Sequence, residues 1–549
     1  MRRAGTTAVR GIFIVLFFGF LISGFVLYLT GYEPAIKLSG VYVKETFNPP
    51  EGRREKLKSI GNGSFFSEAE KIYNQDYPLR PFSIKLNNSI EFLQGKSTNT
   101  SVMMAKNYDL YEYNYIHDYL IMMDVYNGYN NTELLRSIGE KLAFIKETLE
   151  KNGKHMYVLI TPNKAGFSAE NMPDELTGTE DGKEKIRNIE MLKRQFDELG
   201  VPYFDGAKYI REELPAGVIP FYRSGIHYSW PAAYHMARAF YAQIEKDTGL
   251  KMPRFDLKVE NQDEVVFPNQ DLFNLMNTFN GLTGWIYGDK PQQGVTIENA
   301  ERSPVTVMMQ GGSFLGPYIE MNTRYPWLFR GMDIIQNTAF ITKDNEMFGL
   351  GSTRDVDLEK VRNDQLFIFE VNEAVAPDMG WGFIDHFAES VELMTEEDPV
   401  SGELDFSKPE SIRTAYSYGI YDLEGSELPW RFTAREFGCQ IENEKVFSDG
   451  LAFGVSIPGE LQAAEGEPFK VRVKVNGVEI GEYEPDGNGM ITVSPEELSA
   501  AQTDGKTCLI DCSVNKAFIP HELNPESTDT RELALILYSI TPGTKGEAE

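Results

Sequence analysis

The sequence predicts an α/β fold: a three-layer unit with a parallel sheet between helices, preceded by one transmembrane helix and followed by a C-terminal β-sandwich. Three observations carry this. An uncharged run of twenty residues, Gly11–Thr30, stands near the N-terminus. Helical patterns then alternate with short β-rich runs up to about residue 400, the order that builds parallel sheets covered by helices. Beyond residue 411 only short alternating strands follow. The expected units are a cytoplasmic N-terminus with anchor over 1–31, an α/β domain over 32–400, and a β-sandwich over 411–542.

The apolar run has Arg2, Arg3 and Arg10 before it and no basic residue directly after it. Twenty residues at about 1.5 Å each match a hydrocarbon core of about 30 Å. The positive-inside rule then puts the N-terminus in the cytoplasm, making this a single-pass protein of the cell membrane with the bulk of the chain outside. A cleaved signal peptide is the competing reading, disfavoured by the length of the run and the lack of a clear cleavage site.

Helical patterns over Asn114–Tyr126 and Asn131–Asn152 flank apolar runs at Met156–Thr161, Val201–Phe204, Val305–Met309 and Leu366–Val371. Each run ends in polar or glycine-rich residues, and the C-terminal strand ends of open α/β sheets carry the chemistry. Glu396–Ser411, rich in acid, Pro, Ser and Gly, reads as a linker. Strands at Phe453–Ile457, Phe469–Val475, Val478–Tyr483, Gly489–Val493, Thr507–Val514 and Leu533–Ile540 follow, with Asn476-Gly477 as a hairpin turn.

Of 549 residues 42% are hydrophobic and 12% aromatic, which excludes a disordered chain. Lys and Arg total 53 against 82 Asp and Glu, a net charge of −29 that repels phosphate backbones, so nucleic acid is not an expected partner. Residues 401–549 hold 12 basic and 27 acidic side chains. Three cysteines, Cys439, Cys508 and Cys512, allow one bridge at most. No His/Cys/carboxylate cluster has ligand spacing and no nucleotide loop is present, so neither a metal nor a cofactor is expected.

In Val305–Phe314 an apolar strand feeds into Gly311-Gly312-Ser313, a turn that lifts a serine above the sheet edge. An ordinary strand-to-loop turn is the bland alternative. His227 lies in a loop just before a helix capped by Ser229, with Pro231 in its first turn. Of the six histidines it is the one placed to act as a base, since His117 and His235 fall in helical patterns and His155 leads into a strand.

Several spaced motifs then carry a resemblance. Tyr77-Pro78-Leu79-Arg80, Leu110-Tyr111-Glu112 with Tyr115-Ile116, Thr161-Pro162-Asn163-Lys164, Tyr203-Phe204-Asp205-Gly206, Gly225-Ile226-His227-Tyr228-Ser229, Gly311-Gly312-Ser313-Phe314 and Val371-Asn372-Glu373 occur in this order. Over roughly Tyr73–Thr395 the chain resembles the SGNH-hydrolase-like proteins of polysaccharide O-acetylation, the group of the alginate O-acetyltransferases. The resemblance implies an SGNH-like α/β domain with Ser313 as nucleophile and His227 as general base. It also marks two departures: Gly225 replaces the acid of the family's Asp-x-His motif and Gly312 the acid of its Gly-Asp-Ser motif, as in a variant subgroup.

The orienting acid is therefore open among Asp205, Glu370 and Glu373, and a dyad is conceivable because removing the third group leaves measurable catalysis. The Ser313 N–H is the first oxyanion donor, with Gly312, Tyr318, Asn322 and Asn372 as further candidates for oxyanion or substrate contacts. Lys164 is read as a substrate contact or a solvated side chain. Trp430 and Arg431 are candidates for stacking on a sugar, against the alternative of core packing.

The implied function is a membrane-anchored O-acetyltransferase that moves an acetyl group through a serine ester onto a glycan hydroxyl at the cell surface. A membrane-bound O-acyltransferase is the implied acetyl supplier and a polysaccharide the acceptor. The same residues allow an acetyl-esterase, with water as acceptor. The two missing acids allow an inactive glycan-binding scaffold in an acetylation or export complex.

Overall fold

The computed structural model describes residues 52–120, 131–172, 187–263, 267–288, 291–341, 347–395, 400–408, 417–424 and 428–543, less 463–466, 486–487, 504, 525–526, 528 and 530, together with parts of 11–39. Within Gly11–Thr30 the described residues are helical as far as Leu29, and among the described residues no helix is long and apolar enough to cross a membrane. The rest of that run lies outside the described residues, as do 121–126 of one expected helix.

The α/β region is built on seven strands: β1 (His155–Thr161), β2 (Tyr203–Asp205), β3 (Thr306–Gly311), β4 (Gly331–Gln336), β5 (Ala339–Ile341), β6 (Met347–Gly349) and β7 (Leu366–Asn372). They lie in the order β6-β5-β4-β3-β7-β1-β2. From β4 to β2 every pairing is parallel. The sheet is mixed rather than wholly parallel, because β5 and β6 return antiparallel. Only Asn337 and Thr338 separate β4 from β5, and a turn that short permits only a hairpin; Asn337 adopts φ 51° to make it.

Period-two alternation divides each central strand between two cores. Tyr157 and Leu159 of β1, Val307 and Met309 of β3 and Ile368 of β7 face α4 (Trp230–Thr248), packing with Tyr234, Ala237, Phe240 and Ile244. Met156, Val158 and Ile160, Met308, and Phe367, Phe369 and Val371 face the other way. There they meet α1 (Thr132–Glu150), α2 (Asn188–Leu199) and α6 (Phe383–Ser390). The result is a helix–sheet–helix sandwich whose parallel strand ends point to one edge. Two further short helices, α3 (Gly206–Glu212) and α5 (Gly316–Arg324), start at those ends.

The C-terminal region comprises β8 (Tyr418–Glu424), β9 (Trp430–Glu442), β10 (Leu451–Ser456), β11 (Val471–Val475), β12 (Val478–Tyr483), β13 (Asn488–Val493), β14 (Thr507–Val514) and β15 (Ile536–Pro542). They form one continuous sheet, β12-β11-β14-β9-β15-β10-β13, in place of the two separate sheets expected of a sandwich. The reason is the thirteen-residue β9. Its second half pairs with β14 and its first with β15, so one strand serves both halves. Within the expected linker, Leu404–Asp405 pairs with β15, and Leu404 and Phe406 are buried in the third core. The three cysteines are buried and free, with no bridge among them.

Candidate active site

Ser313 follows β3 directly and opens a 3₁₀ turn, Ser313–Leu315, that runs into α5. The N–H groups of Ser313 and Phe314 therefore have no partner inside the helix and are free in principle to face an oxyanion. His227 ends the loop before α4, whose N-terminus is capped by the Ser229 hydroxyl accepting from the Ala232 N–H at 3.2 Å, with Pro231 in the first turn. The Tyr228 hydroxyl donates to the Phe314 carbonyl at 2.8 Å, and the two rings stack, which fixes the two loops to each other. His227 Nε2 thereby comes to 2.8 Å from Ser313 Oγ.

The third group is Asp271, which none of the motifs indicates. Its Oδ2 lies 2.5 Å from His227 Nδ1. Its Oδ1 accepts from the Ile226 N–H at 2.9 Å and the Leu272 N–H at 2.7 Å, which holds the carboxylate still. The Ser224 hydroxyl donates to the Asn269 carbonyl and the Phe273 N–H to the Ser224 carbonyl, so the 224–227 and 268–273 segments are stitched together. Gly225 is the condition for that stitching. A Cβ there would stand 2.9 Å from the Pro268 and Asn269 carbonyl oxygens and 3.0 Å from Asp271 Oδ1. The acid stands not two positions before the histidine but 44 residues after it, at the start of the short helix Asp271–Leu275, and the glycine leaves the space it occupies.

The acids expected from the sequence lie elsewhere. Asp205 caps α3 by accepting from the Lys208 N–H at 2.9 Å and pairs with Lys193 at 3.2 Å. Glu373 pairs with Arg211 and accepts from the Asn163 N–H, a tie between two strand ends. Glu370 sits beneath the serine turn, accepting from the Gly312 N–H at 2.8 Å and from the Thr161 hydroxyl. Complete burial raises its carboxyl to about 7, partly offset by those two hydrogen bonds and by His227. Glu112, half-buried, feels both His227 and Asp271, and burial raises its carboxyl as well.

The other expected contacts are also reassigned. The Gly312 N–H is committed to Glu370 and so is not an oxyanion donor. Asn372 is spent on the Pro162 carbonyl, the Thr161 hydroxyl and the Ala374 N–H. Tyr318 is in the core with its hydroxyl unpartnered, and Asn322 is buried further along α5. Lys164 is neither solvated nor open to substrate: it is buried, with its ammonium 2.7–3.0 Å from the carbonyls of Leu110, Tyr222, Arg223 and Gly225 and 2.8 Å from Asp109. It braces the loop that carries His227. In the C-terminal region Arg431 is wholly buried against the Phe406 ring, and Trp430 packs on Phe432, so the pair does not form an open sugar platform.

A serine hydroxyl, an imidazole and a carboxylate in a hydrogen-bonded line, beside the first N–H groups of a helical turn, is the arrangement for acyl transfer through a serine ester. Among the described residues no group of three His, Cys, Asp or Glu side chains is placed to hold a metal.

Residues 129–313 match the family model described as SGNH hydrolase-like domain, acetyltransferase AlgX. No curated protein matches the chain. Similar solved structures include the O-acetyltransferase domain of Pseudomonas putida AlgJ, at 14% identity over 53% of this chain and 99% of that one with a TM-score of 0.35. AlgX of Pseudomonas aeruginosa is similar at 10% identity over 81% of this chain and 92% of its own, with a TM-score of 0.30. PatB1 of Bacillus cereus is similar at 7% identity over 45% and 91%, with a TM-score of 0.29. At that distance the chemistry has to be read from the site itself, and the matched segment contains both His227 and Ser313 but not a family acid at position 225 or 312. Over residues 129–313 the chain is thus similar to the SGNH hydrolase-like domain family of the acetyltransferase AlgX.

Proposed function

We propose that the protein is an O-acetyltransferase acting on a glycan outside the cytoplasm, anchored by Gly11–Thr30. The observation that carries the reading is the line Asp271–His227–Ser313, with contacts of 2.5 and 2.8 Å. His227 Nε2 takes the Ser313 proton as Oγ attacks the acetyl carbonyl of the donor, and the proton passes to the donor's leaving oxygen. In the second half a sugar hydroxyl gives its proton to His227 while its oxygen bonds the acetyl carbon. The Ser313 ester bond breaks and Oγ recovers the proton. Asp271 fixes the Nδ1–H tautomer and stabilises the imidazolium. Ser313 and Phe314 N–H groups receive the oxyanion.

An acetyl donor reaching the outer side of a membrane requires a membrane-bound O-acyltransferase to deliver it, and that is the partner this reading calls for. The test is acetyl transfer from p-nitrophenyl acetate to oligosaccharides by the full chain in detergent. Wild-type protein is expected to release nitrophenol and acetylate the acceptor, and Ser313→Ala and His227→Ala to do neither. Serine-dependent release with no acetylated sugar across the acceptors tried would favour an esterase. Equal, serine-independent rates would favour a scaffold.

A further inference from the structure

Beside the serine turn stands an aromatic ring that no core absorbs. Trp381 is 42% exposed, although it lies on a strap between buried Met379 and buried Phe383. It is held in the left-handed backbone region, φ 46°, between Gly380 at 77° and Gly382 at 86°. The two glycines adopt this region freely, but the tryptophan between them stores strain that the surroundings must impose. The imposing contacts are the Thr353 hydroxyl donating to the Trp381 carbonyl at 2.8 Å and the burial of Met379 and Ile384 in the core beneath. The strained strap turns the indole outward and against the nucleophile's own turn: a Cβ on Gly312 would lie 2.8 Å from the indole Cη2. The glycine that stands in place of the family's acid is the room that ring takes, one residue before Ser313.

We propose that Trp381 is the platform for the acceptor, stacking on the apolar face of an uncharged pyranose so that one ring hydroxyl reaches the Ser313 acetyl ester. This rests on the acetyl-transfer reading above and names its acceptor site. An indole offers a large, rigid apolar face that loses little entropy on contact. The Asp271 carboxylate beside the reacting atoms, in a chain of net charge −29, opposes an anionic sugar. Arg354, whose side chain lies beside Gly382, is paired with Glu389 at 2.8 Å.

The full chain in detergent, given p-nitrophenyl acetate with cellotetraose or chitotetraose, reports the ratio of acetyl transfer to hydrolysis. Trp381→Ala is expected to lower that ratio roughly threefold to tenfold by raising the acceptor KM, as loss of an aromatic contact does, and Trp381→Tyr to restore most of it. Tetragalacturonate is expected to be a poor acceptor. If Trp381→Ala lowers transfer and hydrolysis in proportion, the ring merely supports the turn and the proposal fails. It fails also if tetragalacturonate is acetylated as well as the neutral tetramers. Should wild type show no serine-dependent turnover, the transferase reading is what has failed. Calorimetric binding of the same tetramers to Ser313→Ala then judges the platform alone: binding abolished by Trp381→Ala supports it, and absence of binding overturns it.

Discussion

At the scale of single residues the site turns on which carboxylate serves His227. Asp271→Asn keeps the shape but lets Nδ1 lose its acceptor, and kcat for p-nitrophenyl acetate is expected to fall on the order of 10⁴-fold, as for other triads. Asp205→Ala removes a helix cap, worth about 1 kcal/mol, together with the pairing to Lys193, and is expected to leave kcat unchanged. Gly225→Ala pushes on two carbonyl oxygens and on Asp271 itself; a shift of about 1 Å is expected to lower kcat about 10²-fold, and the melting temperature to fall with it, because the added Cβ meets backbone that must move. Ser313 and His227 were readable because each sits in a local motif whose turn chemistry explains its exposure. Asp271 was not, because no spacing links residues 44 apart. The clue present in the sequence was negative: two glycines where acids belong, signalling space to be filled by something else.

Glu370 belongs to the same scale but speaks to stability. Its carboxyl titrates near 4.5 in the unfolded chain and at about 7 in the fold. Between those values the folded protein keeps a proton that the unfolded chain has lost. Stability therefore falls as pH rises from about 4.5 to about 7 and levels off above, a span worth about 3 kcal/mol. Urea denaturation of wild type against Glu370→Gln across pH 4.5–8 isolates this contribution. The difference between the two is expected to change by that amount over the window, and parallel curves would remove the assignment.

At the scale of elements, the strands β1, β3 and β7 were legible since unbroken apolar runs ending in polar turns leave few alternatives, and the Asn476-Gly477 turn adopts the two positive φ angles, 49° and 80°, that the dipeptide suggests. The long β9 was missed because its buried and exposed positions do not alternate: it changes partner strand midway, and Glu436 begins a new register. Lys164 shows how a loop element can be fixed by one charge. Lys164→Met strips four carbonyls and Asp109 of their common partner, and breaking a buried pair costs about 3–5 kcal/mol. The denaturation midpoint is expected to drop accordingly, with kcat falling too as the 222–225 segment releases His227. A midpoint within error of wild type would show the brace to be dispensable.

At the scale of the whole molecule the α/β and C-terminal regions are joined by polar groups beside an apolar contact, Trp327 against Tyr421, Ala434 and Leu533. Arg302 stacks on the Tyr418 ring at 4.5 Å and pairs with Asp511, whose carboxylate also accepts from the Tyr418 hydroxyl. Arg330 meets Gln440, and the Gly419 N–H donates to the Pro326 carbonyl at 3.3 Å. A net charge of −29 works against this join, because acidic surfaces on both sides repel. Arg302, set between a tyrosine face and an aspartate, is the charged contact that offsets this repulsion. Arg302→Ala is expected to split a single calorimetric unfolding transition into two, the C-terminal region melting apart from the α/β region. Salt separates the two contributions. Raising ionic strength from 0.01 to 0.15 M shortens the screening length from about 30 to about 8 Å, which relieves long-range repulsion while leaving a half-buried contact largely intact. Wild type is then expected to gain stability with salt, and the two transitions of Arg302→Ala to draw closer without merging. A variant that still melts in one step at low salt would mean that the shared apolar contacts, not Arg302, make the molecule one cooperative unit.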